Sequence, residues 1–109
     1  MKAEDLAELK RHIEKLRNGE QTSFRSSGNS MTPKIKSGQE CTYEPVTEDD
    51  IQKGDMLFCK VQRSMFTHLV TGVRITKDGK EFQISNNHGH VNGWVRINNI
   101  YGRIIEVKD

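Results

Sequence analysis

The 109 residues predict a mainly β domain, a curled or barrel-like sheet preceded by one N-terminal α-helix. Three observations carry that expectation. Apolar residues recur at three- and four-residue steps only in the first twenty positions. From Gln21 onward short strand-like runs take over, with polar and apolar residues alternating in "GQECTYEPV", and the runs are bounded by Gly, Asp, Asn or Ser. The dipeptide Asp78-Gly79 is a strong short hairpin signal between two such runs. The length fits one domain, with the helix over 1–20 and the β region over 21–109.

The helix reads from Leu6, Leu9, Ile13 and Leu16, which lie along one narrow stripe. Asp5 is the expected N-cap and Asn18-Gly19 the left-handed stop. The stripe is expected to pack on its own domain, with a homodimer handle as its other use. Strands follow at "TSFRSS", "GQECTYEPV", "GDMLFCKVQ", "MFTHLVTGVRI", "KEFQIS" and "IYGRIIEV". Arg63-Ser64 reads as a second tight turn. The run "NNHGHVNGW" reads as an Asn/Gly loop closing on Trp94, the single tryptophan.

Composition narrows the function classes. Seventeen Lys and Arg against fifteen Asp and Glu leave a net charge of +2, scattered rather than striped. That balance argues against a nucleic-acid partner. No apolar run reaches the ~20 residues of a membrane-spanning helix, and the N-terminus has no apolar signal core. A cytoplasmic protein is expected, with no membrane partner. Cys41 and Cys59 are expected to stay reduced and to act as small apolar fillers. The two cysteines are far apart, and only "HGH" clusters histidines, so neither metal nor other cofactor is expected.

Chemistry concentrates at "SGNSMTPKIKSGQE", Ser27 to Glu40, where Ser30 sits in a turn-rich loop. A serine hydroxyl is a poor nucleophile unless a neighbouring base takes its proton. Of the four histidines, His12 lies among helix charges and reads as solvated. His68 lies inside an apolar strand just after a tight turn, and an imidazole titrating near 6.5 accepts a proton at neutral pH. From the residues alone, a lone strand histidine is more often a structural one.

The ordered set Gly28-Asn29-Ser30-Met31-Thr32-Pro33, then Gly38, then Lys53-Gly54-Asp55, then the hairpin bearing His68, resembles the peptidase core shared by LexA-type self-cleaving repressors, UmuD and type I signal peptidases. The resemblance spans Phe24 to Ile75, and the closing run "IYGRIIEV" is also similar. It implies that Ser30 is the nucleophile. Most members use a lysine base, but a branch similar to the endoplasmic-reticulum signal peptidases carries histidine, and "FTHLV" resembles its Thr-His-Arg-Val segment with Leu69 in place of arginine. His68 would then be the general base. The backbone N–H groups of Asn29 and Ser30 would hold the oxyanion, Met31 would pack beneath the loop and Pro33 would stiffen its exit.

That branch carries an acid in a later Gly-Asp-Asn box. Ser85-Asn86-Asn87 replaces it here, which makes Asn86, Asn87 and His88 the candidates for an orienting or rim role. Asp55 reads as a turn and strand-start residue. The bonds Asn18-Gly19 and Ser27-Gly28 are poor self-cleavage sites, so a separate protein or peptide is the expected substrate. The implied activity is peptide-bond hydrolysis by a Ser30/His68 dyad. The alternative is a non-catalytic protein-binding or regulatory module, for example a phage or mobile-element accessory protein, that keeps the fold.

Overall fold

The computed structural model describes residues 3–109. Helix α1 runs Ala3–Arg17 and is followed by seven strands, β1 (Thr22–Arg25), β2 (Glu40–Glu44), β3 (Met56–Val61), β4 (Ser64–Thr76), β5 (Gly79–Ser85), β6 (Val91–Val95) and β7 (Ile100–Lys108). All seven form one antiparallel sheet in the order β1-β2-β7-β3-β4-β5-β6. The sheet curls but stays open, with β1 and β6 as its edges, so the barrel-like form of the expectation is corrected to an unclosed sheet. The curl brings β6 over β3, so that a Cβ at Gly93 would stand 3.3 Å from Val61 Cγ1.

The core is split by the sheet into two clusters, and β3 feeds both because successive side chains point to opposite faces. Leu57, Cys59 and Val61 join Val70, Phe82, Ile84 and Val95 inside the curl. Phe58 points the other way and packs with Cys41 and Tyr43 beneath α1 and the loop after β1. Both cysteines are buried free thiols, and burial pushes Cys59 up to about 12, so it stays protonated and unreactive.

Helix α1 lies on its own sheet. Ile13 and Leu16 are buried, Leu9 is packed against the same cluster, and Leu6 alone of the stripe is exposed. The homodimer handle therefore has only Leu6 left to offer a second copy. Leu16 sits close over Gly102 of β7, where a Cβ would meet Glu44 O at 2.8 Å and Leu16 Cδ2 at 3.0 Å. Asp5 stands inside the helix rather than capping it, because the helical backbone is already formed at Ala3. Gly19 supplies the left-handed stop at φ +85°. His12 is not solvated, as its charged neighbours suggested. Its Nδ1 bonds to the Thr22 hydroxyl and its ring packs on Phe24 at 4.8 Å.

Both tight turns fall one residue earlier than the dipeptides suggest. Val61 pairs with Ser64, leaving Gln62 and Arg63 as the turn, with Gln62 at φ +56°. Thr76 pairs with Gly79, leaving Lys77 and Asp78. Strand β6 falls within the run expected as loop, because five residues with a central glycine carry little strand signal. Pairing with β5, Phe82 to Val95 and Gln83 to Trp94, overrides that composition.

Candidate active site

The loop between β1 and β2 is held from below and from the side. Met31 and Ile35 are buried plugs that seat it in the lower cluster. Ser26 N–H donates to Gln39 O (3.1 Å) and Gly38 N–H to Ser26 O (2.9 Å), which closes the loop's base. Gly28, at φ +87°, turns the chain into the Ser30 segment in a region that a side chain would strain. The Thr32–Pro33 peptide is cis.

His68 comes from the centre of β4, on the face it shares with Phe66 and Val70. Phe66 stacks over the imidazole with ring centroids 3.9 Å apart, and His68 is only 6% exposed. The loop brings Ser30 Oγ to 3.0 Å from His68 Nε2. On the far side of the ring, Nδ1 lies 2.7 Å from Asn92 Oδ1. An amide oxygen can only accept, so Nδ1 carries the proton and leaves the Nε2 lone pair facing the serine. Burial holds the ring below its ordinary 6.5, with the Asn92 bond opposing and the nearby His90 adding to the depression. Neutral at pH 7, the imidazole can accept the Ser30 proton.

Asn92 is reached through a β-bulge. Ile84 pairs with Gly93 and Ser85 with Val91, so Asn92 is the extra residue, opposite no partner on β5. A bulge re-aims the side chain it ejects, and here that side chain meets His68. Of the candidates Asn86, Asn87 and His88 for an orienting or rim role, none bonds to the His68 ring, which meets Asn92 instead; Asn87 and His88 lie against the Ser30 loop. Asn86 Oδ1 accepts from His88 N–H (2.8 Å) and His90 N–H (3.0 Å), which shapes the loop between β5 and β6. Asn87 N–H donates to Ser30 O at 2.8 Å and its Nδ2 to Thr32 O at 2.9 Å. His88 Nε2 lies 3.0 Å from Asn29 O. Asp55 accepts from Gln52 N–H and Arg103 and has no part near His68. Among the described residues, no hydrogen bond engages the N–H of Asn29 or Ser30. The described His, Cys, Asp and Glu residues form no group able to hold a metal.

Strand β4 is paired with β3 along its first half and with β5 only from Leu69 onward. The other edge of Ser64–His68 is therefore free, and the free edge of β1 runs nearby. A groove of about 1070 Å³ lies between them, lined among others by Phe24, Ser27, Ser30, Met65 and Thr67. No helix of the described residues is long and apolar enough to cross a membrane. No family model, curated protein or solved structure matches the chain.

The depressed histidines make folding pH-dependent. His12 is also held below 6.5, mainly by burial. Above about 6.5 both rings are neutral in the folded and unfolded chain, and their contribution is complete. As pH falls below that value, the unfolded chain takes up protons first, and stability declines until the folded rings protonate too. The urea midpoint is expected to be higher at pH 7.5 than at pH 5.5, with a flatter profile in a His12→Gln/His68→Gln double variant. Equal midpoints in the unsubstituted protein at the two pH values would show that neither ring resists protonation.

Proposed function

We propose that this protein is a serine peptidase-like protein of the LexA, UmuD and signal-peptidase type, acting on an extended peptide laid in the groove between β1 and the first half of β4. The observation that carries the reading is the continuous line Ser30 Oγ, His68 Nε2, His68 Nδ1, Asn92 Oδ1, with links of 3.0 and 2.7 Å. Ser30 Oγ attacks the peptide carbonyl carbon as its proton passes to His68 Nε2. The carbonyl oxygen takes the negative charge, facing the unengaged N–H groups of Asn29 and Ser30. Proton return from Nε2 to the amide nitrogen releases the amine half and leaves an ester on Ser30. Water, deprotonated by the same nitrogen, hydrolyses that ester.

The free edges of β1 and β4 favour an extended chain, because unpaired strand edges bind peptide backbone by adding a strand. A second reading, a peptide-binding module without turnover, is favoured by Asn92 itself. An amide orients the imidazole but cannot neutralise the imidazolium as a carboxylate does.

The test is reaction with a fluorophosphonate, in which the Ser30 Oγ–P bond forms, P–F breaks, and His68 takes the proton. The adduct is expected on Ser30 by peptide mass mapping. The rate should rise with pH through a midpoint below 6.5, since burial lowers the His68 pKa. Absence of an adduct at neutral pH, with groove peptides still binding, would establish the module reading instead.

A further inference from the structure

The loop between β5 and β6 holds the backbone of the nucleophile loop at three successive points. His88 lies on Asn29 O, the Asn87 N–H on Ser30 O, and Asn87 Nδ2 on Thr32 O. The first contact has a particular consequence. A trans peptide is planar, with its N–H directed opposite its C=O. The carbonyl of Asn29 and the N–H of Ser30 belong to one peptide unit, so whatever fixes Asn29 O also aims the Ser30 N–H. We propose that His88 is a positioning residue that sets the oxyanion-binding donor of Ser30 by gripping the carbonyl of the same peptide.

The geometry assigns the proton on His88. A carbonyl oxygen has nothing to donate, so at 3.0 Å the proton must sit on His88 Nε2. Thr32 donates to the same carbonyl through its hydroxyl at 2.9 Å and its N–H at 3.3 Å, and the hydroxyl lies 3.2 Å from His88 Nε2, where its lone pair can share the imidazole proton. Neutral Nε2–H imidazole and imidazolium both supply this donor. The grip is therefore independent of the protonation that governs His68. The His88 backbone is itself fixed, since its N–H donates to Asn86 Oδ1 and the Asn86 N–H donates to His90 O. Gly89, at φ +89°, lets the chain turn back within that short loop.

Thr32 holds part of the same carbonyl, so losing His88 loosens the donor without removing it. The expected cost is about 10-fold in rate, below the ~10²–10³ of deleting an oxyanion donor outright. This inference rests on the peptidase reading, and the experiment separates their failures. Fluorophosphonate labelling of the full chain is compared among the wild type, His68→Ala, His88→Ala and His88→Gln. His88→Ala should react about 10-fold more slowly with the pH midpoint of His68 unmoved. His88→Gln should recover much of the loss, because its amide can again donate to Asn29 O. Imidazole ¹⁵N spectra of the wild type should show the neutral His88 ring protonated at Nε2. Wild type no faster than His68→Ala would overturn the peptidase reading and, with it, the role of His88. Fast labelling unchanged in His88→Ala, or a His88 ring protonated only at Nδ1, would overturn the positioning role alone.

Discussion

Replacing His68 with alanine lowers the rate of Ser30 phosphonylation by about 10²–10⁴-fold, the usual share of a positioned general base. Ser30→Ala removes the adduct altogether. The size of the His68 effect follows from the site's isolation. Among the described residues, only His68 places a side-chain base on Ser30 Oγ. Phe66 over the ring limits the water that could substitute for it. The steep dependence on pH should vanish with the imidazole, leaving a shallow hydroxide-driven profile. Both variants should keep the fold, since the strand bonds of β4 come from its backbone. Asn92→Ala should fall between wild type and His68→Ala, because the ring stays in place but loses the acceptor that holds Nδ1–H. A wild type no faster than the His68→Ala variant, both folded, would leave Ser30 as a turn residue and the groove as a binding surface.

What the sequence makes legible here depends on whether a signal is local. Helix α1 is legible because Leu9, Ile13 and Leu16 repeat on one face, and a period of 3.6 survives without tertiary context. The strand around Cys41 and Tyr43 is legible for the same reason at a period of two, and the one around Leu57 as a short apolar run bounded by turn residues. The Ser30 and His68 positions could be singled out by their chemistry and setting, yet their 3.0 Å meeting joins positions 38 apart in the sequence. Asn92 was out of reach. Its role comes from a bulge, which is set by the register of β5 against β6 and leaves no mark in "VNGWV". The anchoring of the nucleophile loop by Asn87 is equally non-local, because its N–H and its Nδ2 reach Ser30 O and Thr32 O more than fifty positions away. His12 shows the opposite error. Its charged neighbours describe the outer face of the helix, while the ring itself turns in toward Thr22 and Phe24.

Phe58→Ala should be the most damaging of the core truncations that touch the groove. Phe58 is 1% exposed and stands among Phe24, Tyr101 and Tyr43 at ring-centroid distances of 5.2, 5.0 and 5.8 Å. It also lines the groove, so the same ring supports the sheet, helix α1 and the Ser30 loop. Truncating a buried phenylalanine costs about 3–5 kcal/mol, part lost transfer energy and part unfilled cavity. A domain of this size holds roughly 5–15 kcal/mol in total, so about a fifth or more of its stability would go. The melting temperature should fall by about 12–25 °C. Relaxation into the cavity is limited, because β3 cannot shift toward α1 without pulling Leu57 and Cys59 out of the opposite cluster. Ile75→Ala serves as the control. That side chain is 81% exposed, and its loss should stay within about 0.5 kcal/mol. Calorimetry on the two variants tests the arrangement directly. A Phe58→Ala loss no larger than the Ile75→Ala loss would mean that the lower cluster is not packed, and that the loop carrying Ser30 has no fixed floor.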